Sequence, residues 1–159
     1  MINVRFITLG TLKEQYLRDA AAEYEKRLGA FCRFENIQLK EERLSDSPSQ
    51  NEIKTALERE SIKILEQIPP RAYCIAMCVE GKQLSSEDLA QKLDDAVQGT
   101  SDICFIIGSS FGLSDTVKQR ADMRLSVSKL TFPHQLMRVI LLEAVYRAFN
   151  IQKGTKYHK

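Results

Sequence analysis

Ile103-Cys104-Phe105-Ile106-Ile107 runs directly into Gly108-Ser109-Ser110-Phe111-Gly112-Leu113. An apolar run this short, rich in β-branched and aromatic residues and closed by glycine, predicts a strand buried on both faces. Gly108 and Gly112 then bracket a loop where the backbone can approach a ligand, because glycine lacks Cβ and tolerates positive φ. Downstream, Leu125-Ser126-Val127-Ser128-Lys129-Leu130-Thr131-Phe132-Pro133-His134 repeats the pattern of strand and turn. Pro133 biases Phe132 toward extended backbone. Two such loops at the carboxyl ends of neighbouring strands form the usual ligand crevice of an open α/β sheet.

The chain upstream supplies the remaining layers. Residues 2–9 alternate and predict a strand stopped by Gly10. Residues 12–28 carry Leu12, Tyr16, Leu17, Ala20, Tyr24 and Leu28 at helical spacing, with Gly29 as a C-terminal cap. Residues 31–39 predict the next strand. Residues 40–50, charged and then Ser/Pro-rich, form a surface loop: a plain connector, or else a lid or an RNA-contacting loop. Residues 51–68 predict a charged helix with Ile53, Leu57, Ile62 (or Ile64) and Leu65 inward, ended by Pro69-Pro70. Residues 72–79 form a strand apolar on both faces, broken by Gly81. Ser85 caps a further helix, with Asp88 as an Asp variant of the capping box and Gly99 at its end. The alternation of strand and helix argues a mostly parallel sheet with helices on both faces, in one domain spanning 1–159.

The last helix, Gln135 to Phe149, is apolar nearly all round and must be covered nearly all round. A partner subunit is the favoured cover. Glu143 and Arg147 stand at i, i+4 in the favourable order for an ion pair.

Composition bounds the function. With 43% apolar and 28% charged residues the chain is an ordinary globular domain. It has no apolar run of about 18 residues, as a membrane span needs, and no secretory leader, so a cytoplasmic protein is expected. Cys32, Cys74, Cys78 and Cys104 lack metal-ligand spacing and read as reduced, buried residues, and no metal is expected. The net charge of +2 is small for a protein that grips long bare nucleic acid. A local basic patch remains at the end: Arg147, Lys153, Lys156, His158 and Lys159. Neither the dinucleotide fingerprint nor the P-loop spacing occurs around Gly108.

A set of motifs spread over the whole chain resembles one family. They are Tyr24-Glu25-Lys26-Arg27-Leu28, Gly81-Lys82, Ile107-Gly108 with Gly112-Leu113, Leu130-Thr131-Phe132-Pro133-His134, Arg138-Val139, residues 143–149, and the terminal Tyr157-His158-Lys159. The family is that of the small SPOUT-class methyltransferases acting on N3 of a pseudouridine in bacterial 23S ribosomal RNA. The resemblance implies a C-terminal trefoil knot, which general topology rules disfavour. It also implies a homodimer, S-adenosylmethionine as methyl donor, and 23S rRNA within the assembled ribosome as partner. Carried over by position, the donor would lie against Met77, Gly108, Val127, Ser128, Lys129, Leu130, Thr131 and Phe132. His158, Tyr157 and Arg147 would be catalytic, and His134, Arg138 and Lys159 would bind substrate. Ser109 departs from the pattern, since the family usually has a second glycine there. Two other readings compete: a non-catalytic ribosome-binding assembly factor of the same fold, and a SPOUT methyltransferase acting on tRNA.

Overall fold

The computed structural model describes residues 1–159. The elements are β1 Asn3–Leu9, α1 Gln15–Leu28, β2 Arg33–Leu39, α2 Gln50–Glu66 and β3 Tyr73–Lys82. They continue as α3 Ser86–Ala96, β4 Asp102–Ile107, α4 Asp115–Arg120, β5 Met123–Leu125 and α5 His134–Gln152. The five strands form one sheet in the order β2-β1-β4-β3-β5, and every pairing is parallel.

The quoted apolar run is β4, the middle strand. Its side chains alternate across the sheet, as the period of a strand requires. Ile103, Phe105 and Ile107 enter the core between the sheet and α1, α3 and α5, where they join Phe6, Leu28, Leu93, Leu141 and Val145. Cys104 and Ile106 enter the opposite core with Ile7, Leu9, Ile64 and Val117. Every β4 and β1 side chain named here is under 4% exposed. All four cysteines are buried and reduced.

Several expectations are corrected. Gly81 does not break β3, which runs on to Lys82. The register against β5 shifts between Met77 and Lys82, so Leu125 faces both and Cys78–Gly81 bulge outward. A Cβ at Gly81 would lie 2.6 Å from the Leu125 backbone, so this crossing excludes any side chain. Gly29 ends α1 in ordinary right-handed backbone (φ −57°), not in the left-handed cap conformation. The inner face of α2 is Ala56, Glu60, Ser61 and Ile64, while Ile62 is 60% exposed. Ser85 does cap α3, accepting from the Asp88 amide at 3.0 Å. The short α4 and β5 lie between the two predicted loops. Finally, α5 is covered on one side within the monomer: Leu141, Leu142, Val145, Ala148 and Phe149 are buried, and the helix packs on α1 and α3. Leu136, Val139, Ile140 and Ala144 stay partly exposed along the other side.

Candidate active site

Three strand ends converge on a cavity of about 380 Å³. β3 contributes Met77–Val79, β4 contributes Ile107 with the turn Gly108–Ser110, and β5 contributes Leu125 with the segment Ser126–Pro133. His134 and Met137, in the first turn of α5, close it. The volume lies within the range of small-molecule sites, and the walls are mostly apolar with a few polar groups.

Local chemistry holds both loops. After β4, the Gly112 amide donates to the Ser109 carbonyl at 2.9 Å, and Gly112 has φ 88°, which favours glycine. The role of Gly108 differs from the expected one. A Cβ there would lie 2.3 Å from the Gly112 carbonyl oxygen, so the missing side chain admits the chain's own backbone rather than a ligand. After β5, the buried Ser126 is fixed twice: its amide donates to the Lys82 carbonyl at 2.9 Å, and its hydroxyl donates to the Ser128 carbonyl at 3.1 Å. The Leu130 amide donates to Ser128 Oγ at 2.9 Å. The loop is therefore shaped by short polar side chains satisfying nearby backbone.

Of the residues assigned to a donor pocket, Met77, Gly108, Val127, Ser128, Leu130, Thr131 and Phe132 line this one cavity. Lys129 does not line it; its side chain is exposed. His134 is on the wall, with Nε2 4.0 Å from Glu41 Oε1. Arg138, expected to meet substrate, is 2% exposed and donates through Nη2 to the Leu9 carbonyl. Its Nε and Nη1 have no partner in the fold, and burial pushes its pKa down while Glu41 pulls it up. Arg138 thus holds α5 against the end of β1 and presents no surface. Cys78, Val79, Ser126 and Met137 also line the cavity and were not foreseen. Val79 is 85% exposed because the bulge carries it out of the sheet, and only a bulge signal at Gly81 would have found it.

The terminal residues assemble elsewhere. Arg147 Nε donates to Glu143 Oε1 at 2.9 Å, and Tyr157 Oη donates to the same oxygen at 3.1 Å. The Arg147 guanidinium lies 4.9 Å from the centre of the Tyr157 ring, a cation–π contact. Burial, then the Glu143 carboxylate, pushes the Tyr157 hydroxyl up to about 12, so it stays protonated. Arg147 Nη1 is 3.2 Å from His158 Nδ1, and His158 Nε2 is 2.7 Å from Glu87 Oε1. Arginine can only donate, so Nδ1 accepts and Nε2 carries the proton that Glu87 receives. Lys159 is exposed. None of Arg147, Tyr157 or His158 lines the cavity. Along α5, thirteen residues separate His134 from Arg147, about 20 Å at the helical rise.

The described residues contain no grouping of His, Cys, Asp and Glu suited to a metal, and no helix is long and apolar enough to cross a membrane. The family model described as "Predicted SPOUT methyltransferase" matches residues 2–158. The chain is 52% identical to the Ribosomal RNA large subunit methyltransferase H of Streptococcus thermophilus (strain ATCC BAA-491 / LMD-9), covering 99% of this chain and all of that one. It is 48% identical to the protein of the same name from Bacillus pumilus (strain SAFR-032), with the same coverage. A solved probable methylase family protein from Haemophilus influenzae Rd KW20 shares the fold, with a TM-score of 0.55 at 14% identity, over 99% of this chain and 71% of that one. A parallel sheet with a cavity at three strand ends, matched nearly end to end by these proteins, makes the chain a member of the SPOUT methyltransferase family, in the branch of the ribosomal RNA large subunit methyltransferases H.

Proposed function

We propose that this chain methylates N3 of a pseudouridine in 23S ribosomal RNA, with S-adenosylmethionine as donor and the assembled ribosome as substrate. The observation that carries the reading is the cavity at the ends of β3, β4 and β5, which gathers seven of the donor positions implied by family likeness. The relatives of the same length are named as rRNA methyltransferases. The fit to the donor rests on the lining: apolar side chains such as Met77, Leu125 and Leu130 suit an adenine-like ring, and the backbone of residues 126–132 offers polar groups to its edge. The donor supplies an activated methyl group. This chain's residues orient donor and acceptor in line and exclude water.

The acceptor nitrogen is weak while protonated, so cations near it lower the barrier by stabilising the anion. Arg147 is the cation for this task, with His158 and Tyr157 as the polar groups beside it and Lys159 meeting RNA. They sit about 20 Å along α5 from the donor wall of their own chain. A second copy packed antiparallel on the exposed stripe Leu136, Val139, Ile140 and Ala144 would bring its tail to this cavity. The active form is therefore a homodimer in which each site joins one chain's cavity to the other's tail. A single domain of 1–159, tied in a C-terminal trefoil knot and working in the cytoplasm where ribosomes are, completes the reading. The side-chain-free crossings at Gly81 and Gly108 and the return of α5 to the end of β1 support the knot.

With a net charge of +2, each chain gains little from bare phosphates, so a rigidly presented target is favoured. The test supplies labelled S-adenosylmethionine with purified 23S RNA, large subunits and whole ribosomes, all from cells lacking the modification. Transfer to ribosomes well above that to free RNA is expected. Transfer to none of the three overturns the methyltransferase reading, and equal rates on all three overturn the preference for the ribosome.

A further inference from the structure

A second cavity, of about 360 Å³, lies on the other side of the Gly108–Gly112 turn. Its walls are the segment Glu41–Ser45, the Ala56–Glu60 side of α2, and Ser109–Phe111. Ser109 and Ser110 line both this cavity and the donor cavity, and Glu41 of this cavity lies 4.0 Å from His134 of the donor cavity, so the two adjoin around the turn. Methyl transfer needs acceptor and donor within near-attack distance, roughly 3–3.5 Å. An acceptor must therefore enter through space contiguous with the donor wall, and this cavity is such a space.

Its lining selects a chemistry. Glu41, Glu42 and Glu60 outnumber Arg43, which disfavours a phosphate inside. A neutral planar ring with an N–H at its edge suits the carboxylates. Phe111 is 47% exposed at the rim, so about half of this large aromatic residue is open to solvent. Such faces stack on unpaired bases. Arg43 and Arg59, alongside Asn51, Thr55, Glu42 and Glu52, line an adjoining groove whose two arginines can meet backbone phosphates outside the acidic pocket. At the floor is Glu60, only 4% exposed. Its Oε1 accepts from Ser109 Oγ at 3.4 Å and its Oε2 from the Glu42 amide at 3.0 Å. Each oxygen keeps a further lone pair.

We propose that this second cavity receives the acceptor base, a uracil-type ring stacked on Phe111, and that Glu60 takes its imide proton. The inference rests on the methyltransferase reading above. In the step, the imide nitrogen forms a bond to the methyl carbon as the sulfonium S–CH3 bond breaks. The sulfur keeps the bonding pair and leaves as a neutral thioether, and the N–H proton passes to the Glu60 carboxylate. Burial raises the Glu60 carboxyl from its ordinary value, partly offset by the Glu42 amide and the Ser109 hydroxyl, and a raised carboxylate is a stronger base. The groups facing it are Glu41 and Glu42 from the segment after β2, Lys63 from its own helix, and Ser109 from the turn.

The experiment measures methylation of unmodified ribosomes by the full chain and by Phe111→Ala and Glu60→Gln. Phe111→Ala is expected to raise KM for ribosomes about tenfold, the scale of one lost stack, with KM for S-adenosylmethionine unchanged. Glu60→Gln should lower kcat by roughly 100-fold or more and remove the acid limb of the pH profile, with the donor-induced rise in melting temperature intact. A wild-type chain inactive on every RNA form overturns the methyltransferase reading itself. An active wild type with both variants at wild-type KM and kcat overturns only this cavity's role. Phe111 is a surface residue, so its variant decides the matter even where Glu60→Gln fails to fold.

Discussion

The two ends of α5 differ in every respect that bears on catalysis. At its start, His134 and Met137 border a cavity whose polar groups belong largely to backbone and serine hydroxyls. At its end, Glu143 and Arg147 hold Tyr157 and His158 in a network of charges that reaches Glu87 on α3. The first end is a mostly apolar hollow; the second gathers Arg147, Tyr157 and His158 against the Glu143 and Glu87 carboxylates. A single helix keeps them about 20 Å apart. On the reading proposed above, neither end alone is a complete methyl-transfer site, and an antiparallel pair of such helices would complete two at once in an isologous interface.

Substitutions along α5 break the comparison most severely. Leu142 is 2% exposed in the monomer core, so Leu142→Asp buries an unpaired charge there and should leave the chain unfolded or aggregated. Val139 is only partly buried on the opposite side. Val139→Asp should therefore give a folded monomer by sedimentation, with native circular dichroism and little transfer. If Val139→Asp remains a dimer of normal melting temperature, the interface lies elsewhere.

A smaller effect isolates the pocket end. Saturating S-adenosylmethionine at about a hundredfold excess over Kd should stabilise the wild type by roughly 2.7 kcal/mol. Gly108→Ala places a methyl group against the Gly112 carbonyl, so the turn must open. That variant should fold yet show no donor-induced shift in calorimetry. A full shift would mean that the turn adapts and is not rigid.

The legibility of these parts in the sequence follows from physics. β4 was readable because a strand buried on both faces needs an unbroken apolar run, and Ile103–Ile107 is one. The Ser85 cap was readable because a hydroxyl before a helix has one common use. Donor-wall residues were gathered through family likeness; periodicity alone gave only the loops. What escaped depends on partners distant in sequence. Nothing local in Tyr73–Lys82 says that the strand continues past Gly81 in a bulge, because the cause is the Leu125 backbone. The inner face of α2 carries Glu60 and Ser61, polar residues that a hydrophobic pattern assigns to solvent. Their burial is rationalised by the Glu42 amide, Ser109 and the Glu58 carbonyl. Family likeness places Arg138 at the substrate, and nothing local to it signals its bond to the Leu9 carbonyl, 129 positions away.

Subunit complementation tests the central claim most directly. One variant, Thr131→Arg, blocks the cavity; the other lacks residues 157–159. Each alone should form inactive, folded dimers. Co-expressed in equal amounts, half the dimers are mixed, and each mixed dimer holds one intact cavity facing one intact tail. Activity on ribosomes should return to about a quarter of wild type under two-fold symmetry. A mixture that forms mixed dimers yet stays inactive, or a tail-deleted chain that is active alone, would contradict the shared site.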